Sequence, residues 1–225
     1  TVHVEYDRAE GNKANAGGGG FLSLAPLTPS PKANVTLFNS TFIGNTAAVG
    51  YGAVVAMAST SPGGGSFWMQ VDHCHVADSQ ARIGSAFYIV TANADHHILL
   101  SNSQFSQNKA KLYHGGILYS GANLGTQTLS VSQCTLQAND AAKDGGGFSL
   151  CASDASQSVN MTDNIITSSS ANNGGVLSPL FVGTSTNSLV QSFLLTGNDI
   201  VNSMASGSGG FAYLSVSRSA QLALT

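Results

Sequence analysis

The sequence predicts an all-β chain wound as a parallel β-helix, and three observations carry that prediction. An alanine returns seven times, at Ala14, Ala47, Ala81, Ala110, Ala141, Ala171 and Ala205, at intervals of 33, 34, 29, 31, 30 and 34 residues. The same short phrase surrounds each copy, with Asn12, Asn45, Ser79, Asn108, Asn139, Ser169 or Ser203 two positions earlier. No segment carries 3.6-residue amphipathic spacing of useful length, so the repeat has no helix to build with. Self-similarity at a period of about 32 residues marks stacked units. Ankyrin and tetratricopeptide repeats share the period but require helices, and a propeller blade requires four strands in about 40–45 residues. One repeat per coil, over about seven coils, is the better count.

Each coil opens on an alternating apolar pair: Val2/Val4, Val35/Leu37, Met69/Val71, Ile98/Leu100, Leu129/Val131, Val159/Met161, Phe193/Leu195, and finally Leu222/Leu224. Period-two spacing of this kind reads as a strand with one face inward. A single apolar residue follows, five positions before the alanine: Phe42, Val76, Phe105, Leu136, Ile166 or Ile200. The Asn or Ser column then marks a turn, where stacked amides or hydroxyls would pass hydrogen bonds from layer to layer and satisfy backbone groups left over at a bend. The alanine column leaves room for only a methyl at a tight corner. Glycine pairs come next, as Gly19-Gly20-Phe21, Gly115-Gly116-Ile117, Gly146-Gly147-Phe148, Gly174-Gly175-Val176 and Gly209-Gly210-Phe211, and supply dihedral freedom for a further bend. A second strand follows each pair. Polar loops at 26–31, 59–66, 121–128 and 183–188 lead into the next coil.

Composition narrows the function. Only 8% of the 225 residues are charged and the net charge is −3, so no basic stripe awaits nucleic acid. No apolar run approaches the ~18 residues of a membrane span. A neutral surface of hydroxyls and amides suits an extracellular or cell-surface protein. Cys74 and Cys134 share a column two repeats apart, or about 10 Å at the spacing of paired strands, which is beyond disulfide reach. Cys134 and Cys151 lie within one repeat and remain conceivable partners, but buried free thiols are favoured. The chain begins and finishes at the same phase of its repeat, without the polar or helical caps of a solenoid end. A single β-helix segment, 1–225, internal to a longer protein is expected.

The repeat also carries a family resemblance. Phe42-Ile43-Gly44-Asn45, Phe105-Ser106-Gln107-Asn108 and Leu136-Gln137-Ala138-Asn139 resemble the FxxN motif of the chlamydial polymorphic outer-membrane protein repeats. The glycine pairs, with Gly52-Ala53-Val54-Val55, resemble that family's GGA[ILV] motif. Val76-Ala77-Asp78-Ser79 and Ile200-Val201-Asn202-Ser203 depart from it by lacking the Asn, and Gly84-Ser85-Ala86 lacks the second glycine. The resemblance spans essentially the whole chain and implies a right-handed parallel β-helix used for adhesion or surface structure.

Three sets of residues invite chemistry. Arg82, Lys109, Lys111, His114, Asp140, Lys143 and Asp144 form the one dense charge cluster. Lys109 and Asp140 stand immediately before their alanines in adjacent repeats, so a surface ion pair one layer apart is expected. The adjacent Asp-Asp pair of a polysaccharide hydrolase is absent. His73-Cys74-His75, with His96-His97 in the next coil, is a candidate zinc set, but a structural site needs four ligands and no further one is evident. Asn34, Asn39 and Asn160 stand in N-x-[ST] sequons and are candidate glycan acceptors. The proline-rich stretch 26–31 reads as an exposed loop, with an O-modified polyproline segment as the alternative.

The sequence therefore points to a non-enzymatic structural or adhesive module of a large secreted or surface protein. It is expected to use no cofactor and no metal. Its expected partners are the rest of its own chain, further copies, and surface glycans or proteins, with no nucleic acid. A carbohydrate-active β-helix enzyme is the alternative, to be recognised by a groove gathering acidic and basic side chains from three or more coils.

Overall fold

The computed structural model of the chain describes residues 1–15, 18–24, 32–59, 65–182, 189–217 and 220–224. It is an all-β solenoid in which the paired strands are parallel and equivalent positions of successive repeats lie side by side. Each coil has four faces. The first carries Val2–Glu5, Lys32–Phe38, Gly65–Asp72, Ala94–Ser101 and Leu189–Thr196. The second is built from three-residue strands: Arg8–Glu10, Thr41–Ile43, His75–Ala77, Gln104–Ser106, Thr135–Gln137, Ile165–Thr167 and Asp199–Val201. The third holds the alanines, from Lys13–Ala14 to Met204–Ser208. The fourth includes Leu22–Leu24, Val55–Ser59, Phe87–Ala92 and Leu177–Val182. The second and third faces are seven-stranded sheets, one strand per repeat. The first and fourth merge into one 13-stranded sheet, because Leu118–Ser132 and Phe148–Thr162 run through both.

The predicted columns are the observed register. Val4, Leu37, Val71, Leu100, Val131, Met161 and Leu195 pair in sequence along the first face. Phe42, Val76, Phe105, Leu136 and Ile166 do so on the second. With Val55, Phe87, Leu118, Phe148 and Leu177 from the fourth face they form one continuous buried core. Ala47, Ala81, Ala110, Ala141 and Ala171 are buried, and Ala14 packs against the first of them.

The first three faces each end in a residue with left-handed backbone. At the first corner the column is Tyr6, Asn39, His73, Asn102, Gln133, Asp163 and Gly197, and at the second it is Gly11, Gly44, Asp78, Gln107, Ala138, Ser168 and Asn202. The third corner holds glycine in every coil: Gly19, Gly52, Gly84, Gly115, Gly145, Gly174 and Gly209. The reason is steric as well as torsional. A Cβ on Gly115 would lie closer than 3.0 Å to the backbone carbonyl of Leu118, and the same clash recurs down the column. At the second corner a Cβ on Gly44 meets nothing closer than the backbone N of Gly11 at 4.0 Å, an ordinary contact, and side chains up to Gln107 occupy that column.

Three expectations need correction. The stretch 121–128 is no loop: it continues the strand Leu118–Ser132, bent at Leu124 and Gly125, whose φ values are 64° and 95°. Leu124 shares this fourth corner with Asn93 and Asp154, so coils of 29–31 residues close tightly there. In the fifth repeat the left-handed glycine is Gly145, one residue before the expected pair Gly146-Gly147; Gly147 instead takes the place of Ile117 and Val176. The Asn column passes hydrogen bonds between layers as expected, but its serines do not. The buried hydroxyls of Ser79, Ser169 and Ser203 have no partner among the described residues, being too short to reach the next layer. Of the expected loop 59–66, Ser59 ends one strand and Gly65 and Ser66 begin the next, while 60–64, like the expected loops 26–31 and 183–188, lie outside the described residues.

Candidate functional site

The amide ladder fixes the faces that carry the other side chains. Asn12 donates through its backbone N–H (3.1 Å) and Nδ2 (2.9 Å) to Asn45 Oδ1, and Asn45 Nδ2 donates to the Ala9 carbonyl at 3.1 Å. Asn108 and Asn139 repeat the arrangement, with Asn139 Nδ2 donating to the Phe105 carbonyl at 2.9 Å. A second ladder at the first corner was not foreseen. It runs through Asp7, Ser40, Cys74, Ser103, Cys134, Asn164 and Asn198. Ser40 and Ser103 donate to the carbonyl two residues earlier, and the thiols of Cys74 and Cys134 do the same at 3.3 Å. These cysteines therefore act as serine substitutes as well as filling space. All three cysteines are free, so the conceivable Cys134–Cys151 bridge is not formed. Burial pushes the Cys134 thiol up to about 11, away from reactivity.

The charge cluster runs along the third face, from Lys109 and Asp140 beside the second corner to His114 and Asp144 beside the third. Lys109 Nζ meets Asp140 Oδ2 at 2.9 Å, one layer apart as expected, and Asp140 also accepts from Ser170 Oγ at 2.8 Å. His114 Nδ1 lies 2.8 Å from Asp144 Oδ2, and Asn173 Nδ2 donates to Asp144 at 2.8 Å. The His114 contact is the main cause holding the Asp144 carboxyl below its ordinary range. Lys143 Nζ sits 4.7 Å from the centre of the Tyr113 ring and the Arg82 guanidinium 5.8 Å from it, both within cation–π range. Tyr51, Tyr88 and Tyr119 stack along the fourth face at 4.5 and 5.6 Å, and His114 continues the stack at 5.9 Å. Burial raises the Tyr88 phenol to about 12 and pushes Tyr119 up as well.

The third face does bring charges from three consecutive coils together, and both of its carboxylates are partnered. Asp140 is engaged by Lys109 and Ser170, and Asp144 by His114 and Asn173. The cavity bounded by His114, Tyr119, Asp144, Ser149, Cys151, Ser178 and Leu180 is about 40 Å³, too small for a sugar ring. Cys151 borders it, and burial raises its thiol while a hydrogen bond with Tyr119 opposes that shift. Because stacked rings cover one another's faces, the tyrosine column offers edges to solvent.

The candidate zinc set is dispersed. His73 sits exposed in the first-corner column with Nδ1 3.1 Å from Asp72 Oδ2, and His75 begins a strand of the second face. His97 points outward and stacks on Trp68 at 4.5 Å. His96 points inward and is fully buried. Among the described residues no three His, Cys, Asp or Glu side chains are placed to hold a metal ion. His96 instead belongs to a polar network inside the solenoid. Its Nε2 pairs with Thr91 Oγ1 and its Nδ1 with Ser120 Oγ at 2.9 Å. Gln127 Nε2 donates to the Ser120 hydroxyl at 2.7 Å, and Gln157 Nε2 to Gln127 Oε1 at 2.8 Å. Burial lowers the His96 imidazole to about 4, so it is neutral at physiological pH. The sequence signal was present: His96, Gln127, Gln157 and Gln191 replace Phe67 in an inward column of the first face.

Of the sequon residues, Asn34 is exposed on the first face beside Trp68, and Asn39 is exposed at the first corner. Asn160 is half-buried and accepts from the Thr162 hydroxyl at 2.9 Å. No helix among the described residues is long and apolar enough to cross a membrane. Comparison of the chain with protein-family models, with curated proteins and with solved structures finds no match.

Proposed function

We propose that the protein is a non-enzymatic structural and adhesive module of a secreted or cell-surface protein. The observation that carries this reading is the outer side of the first face. There Trp68 is 54% exposed, and Leu99, Val190 and Leu194 are also exposed, among the hydroxyls and amides of Thr36, Thr128, Ser130, Ser158, Asn160 and Ser192. A flat parallel face holding exposed apolar side chains in a neutral polar field marks an interaction surface. It lacks the charge that would select nucleic acid. The resemblance of the FxxN and GGA[ILV] phrases to surface-protein repeats supports the same reading.

The enzyme alternative is disfavoured by how the carboxylates of the third face are engaged. Glycosidases of the common kind need two carboxyl groups free to flank one bond, and Asp140 is held by Lys109 and Ser170 and Asp144 by His114 and Asn173. The test is to incubate the purified protein with insoluble and soluble polysaccharides and to read retention and released sugar ends together. Retention without release, weakened by Trp68→Ala and Leu99→Ser, is expected. Catalytic release of sugar ends would overturn the proposal.

A further inference from the structure

We propose that the groove along the first corner, between the first and second faces, is a binding site for a neutral oligosaccharide lying parallel to the solenoid axis. The groove has a volume of about 350 Å³ and takes residues from four consecutive coils. One wall is the left-handed column Asn39, His73, Asn102 and Gln133. The other is the leading column of the second face, Thr41, His75, Gln104 and Thr135. Ser40, Cys74 and Ser103 form the floor, already bonded to the backbone.

Two features point to a ligand here. The first is the contrast with other outward polar side chains, many of which bond across layers. Ser101 donates to Asp72, Thr126 to Asp95, Ser170 to Asp140, Asn173 to Asp144 and Ser206 to Asn172. In the groove, Thr41, His75, Gln104, Gln133 and Thr135 make no side-chain hydrogen bond among the described residues, although the ladder spacing of ~4.8 Å brings their counterparts close. The second is chemical type. Amides, hydroxyls and imidazole each present donors and acceptors without a fixed full charge, which suits the hydroxyls of an uncharged sugar. The adjacent carboxylate, Asp72, is engaged by Ser101, Asn102 and His73. Burial alone would raise it, but those three partners outweigh burial and hold its pKa down. An extended glycan repeats at a spacing comparable with the layers, so successive rings meet successive rungs.

The proposal rests on the adhesive reading and adds to the first face a second, separate site with a ligand class of its own. The probes are neutral gluco-, xylo- and manno-oligosaccharides of increasing length, titrated into the wild type, Gln104→Ala, His75→Ala, Gln133→Ala and Trp68→Ala. Among the described residues the three groove side chains make no hydrogen bond or ion pair, so their removal is expected to leave the fold intact. The expected result is affinity that rises with chain length and falls about tenfold or more, a loss of ~1.4 kcal/mol per tenfold, in the groove variants. Trp68→Ala should change it less than about twofold, ~0.4 kcal/mol. Loss of binding in Trp68→Ala with groove variants unchanged would overturn the groove site while leaving adhesion through the first face standing. Absence of binding by every probe would also overturn it, and polysaccharide retention then judges the adhesive reading separately.

Discussion

Asn139 Oδ1 accepts two hydrogen bonds from Asn108 one layer away, from Nδ2 at 3.0 Å and from the backbone N–H at 3.2 Å. One carbonyl thus satisfies a side chain and an orphaned corner amide in a fully buried position. Replacing Asn139 by Ser should cost about 1–3 kcal/mol, because the Asn108 donors are left buried without a partner. The converse change, Ser79→Asn, should stabilise by about 1 kcal/mol by extending the ladder to Asn45. Chemical denaturation of both variants, read as shifts in midpoint at constant slope, checks the pair.

The third and second corners should answer differently to the same substitution. Gly115→Ala places a Cβ against the Leu118 carbonyl in addition to the left-handed backbone cost, and a loss of more than ~3 kcal/mol is expected. Gly44→Ala pays only the torsional part, about 1 kcal/mol, and Ala138 already occupies that column. Thermal unfolding of the two variants distinguishes the steric account from one based on flexibility alone.

The corner thiols should be replaceable by hydroxyls. Cys74→Ser and Cys134→Ser keep a donor to the Asp72 and Ser132 carbonyls, so each should alter stability by less than about 1 kcal/mol. In the native protein these two thiols should react with a disulfide reagent far more slowly than in denaturant, because both are buried and raised in pKa. Labelling both before and after unfolding provides the check.

His96 links stability to pH. Its folded pKa is about 4, below the ordinary imidazole value of 6.5, with burial the main cause. Asp95 beside it opposes that shift and His97 adds to it. Between these two values the unfolded chain binds more protons, so stability falls as pH drops through the window and is fully present above it. The contribution amounts to roughly 3 kcal/mol by the bottom of the window. His96→Gln, which continues the Gln127 and Gln157 column, should flatten this acid limb. Denaturation midpoints at a series of pH values for wild type and variant decide the matter.

The columns were legible in the sequence because each occupies one chemical niche. Alanine, the FxxN apolar residue and the alternating pair all recur under the same burial, and glycine recurs wherever the third corner excludes a Cβ. What stayed hidden were positions defined by backbone conformation alone. Tyr6, His73, Gln107 and Ala138 share left-handed corners but no chemistry, so no residue type announces them. The bend at Leu124 was concealed because polar, glycine-containing sequence reads as loop even where parallel neighbours hold it in a sheet. The charge cluster was visible as a cluster, but its pairing with Tyr113, Ser170 and Asn173 depended on register between coils. The first-corner groove was not legible as a groove: His73, Cys74 and His75 stood out only as a candidate zinc set, and its walls come from four repeats.

The central claim is that one repeat makes one layer, and distances within an outer column test it most directly. Thr36, Gln70, Leu99, Ser130 and Asn160 form such a column on the first face. In a background with Cys74, Cys134 and Cys151 changed to Ser, spin labels are attached through Thr36→Cys with Leu99→Cys, and through Thr36→Cys with Asn160→Cys. Electron–electron distances should centre near 10 Å across two layers and near 19 Å across four, at ~4.8 Å per layer. Separations that fail to grow with the number of intervening repeats would contradict the stacked coil.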